Sequence, residues 1–268
     1  MNLLRVDGRR VALTDRGEGP PVVFVHASGM GAQQWGATLP RLADRFRCLA
    51  PDLLGVGASD PWPDPDRYAL AVDLAVVNAV IDRAAAPVHL VGHSFGGLLA
   101  LLAAAARPDR VRSVAVYEPV AFGVLRGRDP EGLASLDAAI TPAFLDAQSG
   151  GDEAWLTAFI DFWNGAGAWA RLPEGRRAAL RATGRKSFLE VRALSAEAPP
   201  LEALVSPCPT LLMAGSRSPR AALGVCRVLA TGLPNARLLP FDGAGHMGPV
   251  EEPRRFVAAV AEHLGLHA

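Results

Sequence analysis

Val88-His89-Leu90-Val91-Gly92-His93-Ser94-Phe95-Gly96-Gly97 is the stretch on which the fold turns. Its first residues read as a buried strand, Gly-x-Ser-x-Gly follows, and the apolar run Phe95 to Ala106 reads as a buried helix, too short to span a bilayer and interrupted by Gly96 and Gly97. A strand that turns sharply into a helix through this pattern is a nucleophile elbow. The serine sits on a strained turn, where side chains two residues to either side would collide with the neighbouring backbone, so the chemistry needs the glycines. The turn also sets Ser94 at a helix N-terminus, where free N–H groups favour a developing negative charge. A glycine-rich chain can produce the five-residue pattern by chance, but the flanking strand and helix weigh against that reading.

Outward from the elbow, apolar strand-like runs alternate with helical stretches: Val22 to His26, Cys48 to Pro51, Val88 to Val91, Val111 to Tyr117, Thr210 to Ala214 and Arg237 to Pro240. This alternation predicts an α/β fold with a parallel sheet covered on both faces. Ahead of it, Leu3 to Thr14 reads as two short strands around Asp7-Gly8, a hairpin at the sheet edge. Between Pro119 and Pro207 no β-rich run occurs, whereas helical periodicity, Gly, Pro and Trp155, Trp163 and Trp169 accumulate. The expected organisation is a core over 1–118 and 208–268 with a helical cap inserted over 119–207. No repeat of fixed period and no low-complexity tract is visible.

Composition narrows the function. The 27 basic and 27 acidic side chains leave no electrostatic footprint for nucleic acid, so a small-molecule substrate fits better. Lys186 is the only lysine, which reads as coding bias and carries no function at this level. Residues 1–10 lack the apolar core of a secretory signal, and a cytoplasmic protein with no membrane insertion is expected. Cys48, Cys208 and Cys226 are too few and too widely spaced for a disulfide framework or a zinc site, and are expected to be reduced and mostly buried. No metal is called for. A homodimer is compatible with the sequence, which carries no further signal for assembly.

Two more elements bear chemistry. Phe24-Val25-His26-Ala27-Ser28-Gly29-Met30-Gly31 resembles an oxyanion loop, and the backbone N–H groups of Ser28 and of Phe95, the residue after the nucleophile, are the expected donors. His26 is read as a buried histidine that orders this loop. Late in the chain, Phe241-Asp242-Gly243-Ala244-Gly245-His246-Met247-Gly248-Pro249 offers His246 as general base, with an ordinary turn histidine as the competing reading. His263 and His267, in or after the last helix, are expected to be solvated.

Together the elbow, the oxyanion loop, the run Asp52-Leu53-Leu54-Gly55-Val56-Gly57-Ala58-Ser59 and the Gly-His loop resemble the α/β-hydrolase superfamily. The resemblance implies an eight-stranded, mostly parallel sheet, a nucleophile after strand five, a mobile cap and no organic cofactor. Gly55-x-Gly57 lacks the third glycine of a dinucleotide loop and reads as a tight turn. The pattern is broken at one place. Many relatives carry the acid of a Ser-acid-His triad just after strand seven, where this chain has Ser218 in Gly215-Ser216-Arg217-Ser218-Pro219. A serine cannot supply the full charge that stabilises an imidazolium. Glu118, at the end of the run Val111 to Tyr117, matches an alternative acid position that the family is known to use, and Pro119 is expected to hold it extended. A surface glutamate at the start of the cap is the competing reading. Asp242 is the reserve acid, although its place suggests a turn.

In the cap, Trp155 to Gly165 is amphipathic at helical spacing, and Trp163 and Trp169, beside Gly165 and Gly167, are candidates for the pocket wall or equally for cap core. The expectation is a hydrolase of an ester-like or other acyl bond acting through Ser94, His246 and Glu118. A serine at the elbow argues against haloalkane dehalogenase and epoxide hydrolase chemistry, for which relatives use a carboxylate there. Carbon–carbon bond hydrolysis of a diketone-like compound is the rival enzymatic reading, and a non-catalytic small-molecule receptor on the same fold is the rival from another class.

Overall fold

The computed structural model describes residues 2–64 and 67–267. The expected core limits at Met1 and Ala268 fall just outside this range. Among the described residues eight strands form one sheet in the order β1-β2-β4-β3-β5-β6-β7-β8: β1 Asn2–Val6, β2 Arg9–Arg16, β3 Pro21–Val25, β4 Arg47–Pro51, β5 Val88–His93, β6 Val111–Tyr117, β7 Thr210–Gly215 and β8 Ala236–Phe241. Every strand-like run read from the sequence coincides with one of these to within a residue or two. β1 and β2 form the edge hairpin, closed by Asp7 (φ 49°) and Gly8 (φ 80°), the positive dihedrals that a two-residue turn of this hand requires. β2 pairs antiparallel with β4, and the pairings from β4 through β8 are parallel.

The central strands β3, β5 and β7 are buried at every residue because helices cover both faces. Side chains alternate between two apolar clusters: Val88 and Leu90 belong with α3 residues Leu98 and Leu99 (α3, Phe95–Ala106), whereas Val91 belongs with Trp35 and Phe256 of the opposite layer. One layer contains α2 (Leu70–Arg83), α3 and α8 (Arg220–Gly232); the other contains α1 (Leu39–Leu42) and α10 (Pro253–Leu266), the latter preceded by the single turn α9 (Gly248–Glu251). His263 of α10 is buried, not solvated, because it lies on the inner face of that helix beside Leu264 and Val260. The three cysteines are free and buried.

Between β6 and β7 the described residues form helices and turns: α4 (Pro130–Asp137), α5 (Glu153–Asn164), α6 (Ala168–Arg171) and α7 (Glu174–Glu197). Trp155, Leu156, Trp163 and Phe188 from this segment join the cluster that contains α2 and α3, so the segment is packed onto the sheet layer by continuous apolar contact. Among the described residues no helix is long and apolar enough to cross a membrane.

Candidate active site

Ser94 follows the C-terminal end of β5 with φ 55° and ψ −117°, a conformation costly for any residue with a Cβ. The turn is held on both sides. Ser94 N–H donates to the Tyr117 carbonyl (3.0 Å), and the Ser94 carbonyl accepts from Gly97 (3.0 Å), Leu98 (3.2 Å) and Val120 (3.3 Å). A Cβ on Gly92 would stand 2.5 Å from the Gly96 carbonyl oxygen, and one on Gly96 would stand 2.2 Å from that of Val25, so both glycines are required by close backbone approach.

Glu118, directly after β6, is fully buried. Its Oε2 accepts the Nδ1–H of His246 at 2.6 Å, while Oε1 accepts from the Gly215 amide (2.7 Å) and the Ser218 hydroxyl (2.6 Å). The surface-glutamate reading is excluded. The backbone differs from the expected extended form: Glu118 has φ 43°. Proline at 119 bars the right-handed helical region, but it does not impose a strand. The strained dihedral is fixed by the Glu118 amide bonded to the Met213 carbonyl (2.9 Å) and by the three side-chain bonds at its carboxylate. Asp242 is exposed and its carbonyl accepts from Arg255, a turn position away from His246.

With Nδ1 engaged by Glu118, the basic nitrogen left on His246 is Nε2. His246 and Ser94 line the same cavity of about 340 Å³, together with Ala27, Ser28 and Trp163. Ser94, Ser28, Phe95 and Trp163 also line a larger, mostly apolar cavity of about 590 Å³ with Phe122, Leu133, Leu136, Ile140, Phe144 and Leu194 among its walls. Ser94 therefore opens onto both. The backbone N–H groups of Ser28 and Phe95 find no backbone or side-chain acceptor among the described residues, which leaves them free for an oxyanion. Trp163 lines both cavities. Trp169 lines neither: its indole N–H donates to Glu153 (3.2 Å), its backbone N–H is held by Asp161 (2.9 Å), and the Arg181 guanidinium lies over its ring, so the pocket-wall expectation fails for it and the cap-core alternative holds.

Three partners of the site carried no role in the sequence reading. The Gln34 side chain accepts from the Ala27 amide (2.9 Å) and donates to His93 Nδ1 (3.1 Å), and His93 Nε2–H donates to the His246 carbonyl (2.8 Å). This run of hydrogen bonds ties the loop of Ala27 and Ser28 to the His246 loop. Burial holds the His93 imidazole well below its ordinary pKa, so it stays neutral and keeps this pattern of one donor and one acceptor. Tyr117 completes the frame by donating to the Gly245 carbonyl (2.8 Å). His26 has the expected loop-ordering role: Nδ1–H donates to the Ala27 carbonyl (2.8 Å) and Nε2 accepts from Leu53 (3.0 Å). In the sequence, His93 stands out only as the residue preceding the nucleophile and Tyr117 only as the end of a strand-like run.

Lys186 also proves to be more than coding bias. On α7, its ammonium lies 2.7 Å from Asp73 of α2, 2.5 Å from Glu190 and 3.2 Å from the Tyr68 hydroxyl. Burial acts to lower its pKa, but the two carboxylates prevail and hold it above its ordinary value. Glu190 forms part of the larger cavity's wall beside Ser28.

The alpha/beta hydrolase fold family model matches residues 20–253, and the chain belongs to that family. It is a hydrolase. The pimeloyl-[acyl-carrier protein] methyl ester esterase of Chromobacterium violaceum is 32% identical over 256 residues, covering 94% of this chain and 97% of the relative. The 2-hydroxymuconate semialdehyde hydrolase of a Pseudomonas species is 30% identical over 279 residues, covering 96% and 91%. Among solved structures, a variant of a meta-cleavage product hydrolase superposes with a TM-score of 0.72 at 25% identity, covering 98% of this chain and 97% of that one.

Proposed function

We propose that this hydrolase cleaves an ester-like or other acyl bond of a small molecule through a Ser94-His246-Glu118 triad. The observation that carries the reading is the 2.6 Å bond from His246 Nδ1–H to the buried Glu118 carboxylate, in a cavity that Ser94 and His246 share. His246 Nε2 takes the Ser94 proton as Oγ attacks the acyl carbon, and the Ser28 and Phe95 amides receive the oxyanion. Collapse expels the alcohol with the proton from Nε2, and water, deprotonated by the same nitrogen, releases the acid. Glu118 fixes the imidazole tautomer and offsets the charge that forms on it.

The helices over 119–207 serve as the cap, and the larger cavity receives the acyl chain. Its predominantly apolar lining suits an acyl chain, and Arg126, Asp137, Glu190 and Ser195 in the same wall supply polar groups of the kind a carbon–carbon bond hydrolase needs for its substrate's oxygens. The methyl ester esterase relative supports the ester reading, and the semialdehyde hydrolase relative keeps carbon–carbon cleavage as the second one. Hydrolysis of p-nitrophenyl esters of graded acyl length, with Ser94→Ala as control, tests the proposal. Turnover is expected to peak at a medium chain and to vanish in the control; turnover only on diketone-like acids would favour the second reading.

A further inference from the structure

Resting on the triad reading above, we propose that Trp163 is a positioning residue for His246, one that clamps the face of the imidazole and stabilises its protonated form. The two rings lie 3.7 Å apart between centroids and 18° from parallel, closer than any other aromatic pair recorded among the described residues. Trp163 is itself stacked on Phe122 (6.2 Å, 22°) and meets Phe162 edge-on (4.9 Å, 73°). Phe122 lies four residues after Glu118, so the ring pile Phe122-Trp163-His246 and the carboxylate that binds His246 Nδ1 both start from the segment leaving β6.

The clamp is built rather than incidental. Trp163 is next to last on α5, whose end is fixed by Asp161: its carboxylate takes the amides of Gly167 (2.7 Å) and Trp169 (2.9 Å), folding α6 back onto α5. His93 stands 4.8 Å from His246 and tilted by 45°, so the imidazole has an aromatic ring stacked on one face and a neutral, tethered ring beside it. Glu118 constrains the ring only through Nδ1, about which it could still rotate; a flat indole against one face opposes that rotation where His246 lines the cavity it shares with Ser94. When Nε2 takes the serine proton, the indole face lies against a cation. Cation–π attraction is strongest for Trp and grows with desolvation, and Trp163 and His246 are both buried. The interaction is weak with the neutral base and strong with the imidazolium, so it acts on the transition state rather than on substrate binding.

Two variants separate this role from that of a pocket wall. On the preferred ester, Trp163→Leu keeps an apolar wall without a π face, and is expected to lose about 10- to 30-fold in kcat with KM within about threefold of the parent, while Trp163→Phe recovers most of kcat. The rate at which a fluorophosphonate modifies Ser94, which needs the same base, is expected to fall in parallel. An unchanged kcat with a raised KM in Trp163→Leu would overturn the proposal, and so would a Trp163→Phe variant as slow as Trp163→Leu. The stack has its own signature: the His246 Hε1 proton resonance is shifted upfield by the indole ring current and returns to the ordinary range in Trp163→Leu, with His246→Ala identifying the signal. If the parent chain neither hydrolyses esters nor takes the phosphonate, the triad reading falls, and the resonance alone then decides the clamp: absence of the upfield shift overturns it.

Discussion

Ser218 donates its hydroxyl to Glu118 Oε1 over 2.6 Å, so the residue standing where many relatives carry the acid holds the carboxylate of Glu118 in place. The two positions converge because β6 and β7 are parallel neighbours whose C-terminal ends lie side by side. Ser218→Ala removes one of the two donors to Oε1 and leaves the Gly215 amide. A three- to tenfold loss of kcat/KM is expected, corresponding to about 1 kcal/mol for one net hydrogen bond. Ser218→Asp sets a second carboxylate against Glu118 and is expected to be worse than Ser218→Ala, whereas the same change combined with Glu118→Ala is expected to regain activity over Glu118→Ala alone. Steady-state kinetics on one ester check the series; no gain in the double variant would show that the two positions are not interchangeable.

Glu118→Gln keeps the shape and the Ser218 contact but removes the charge and permits the wrong imidazole tautomer. By analogy with other triads the loss in kcat is about 10⁴-fold, without loss of fold. Asp242→Asn, at an exposed turn, is expected to leave kcat within about twofold of the parent, as surface substitutions generally do. Circular dichroism controls for folding, and the reverse ranking would move the acid to Asp242.

The strands, the edge hairpin, the elbow and the loops that carry Ser28 and His246 are legible because each is a local pattern: period-2 or continuous apolar runs, Asp-Gly at a tight turn, and glycines where backbones meet. What escaped the sequence depends on residues far apart. Glu118 was expected to be extended because proline acts on its neighbour locally, yet contacts from Gly215, Ser218 and His246, about a hundred residues away, set its dihedral. Trp163 and Trp169 look alike in sequence, each beside a glycine near a helix end, and only the turn between α5 and α6 aims one at His246 and the other at Arg181. Lys186 meets Asp73 across 113 positions, a pairing no local pattern announces.

That pairing predicts a stability effect. Lys186→Met strands two buried carboxylates, Asp73 and Glu190, without their counter-ion, and breaking a buried pair costs about 3–5 kcal/mol. A fall in Tm on the order of 10 °C is expected at pH 7. Adding Asp73→Leu and Glu190→Leu is expected to recover part of it. Differential scanning calorimetry measures both, and a Tm for Lys186→Met within about 2 °C of the parent would contradict the cluster's role.

Acid sensitivity follows from histidines buried in neutral form. Burial pushes His89 and His263 down to about 4. Unfolded, each titrates near about 6.5, so between these values the unfolded chain binds more protons than the folded one. Their contribution is complete above about pH 6.5 and is lost as pH falls toward about 4, on the order of 3 kcal/mol for each. Urea unfolding is expected to give a lower midpoint at pH 5 than at pH 7, with a smaller difference in His263→Leu. An equal difference in that variant would remove His263 from the account.

The most direct test of the central claim is the site of covalent attack. The chain is treated with a p-nitrophenyl phosphonate, and intact mass and peptide mapping locate the adduct. The account predicts one phosphonyl group per chain, on the peptide bearing Ser94, formed orders of magnitude more slowly in His246→Ala and in Glu118→Gln. An adduct on another residue, or labelling of Ser94 at an undiminished rate in both variants, would contradict it.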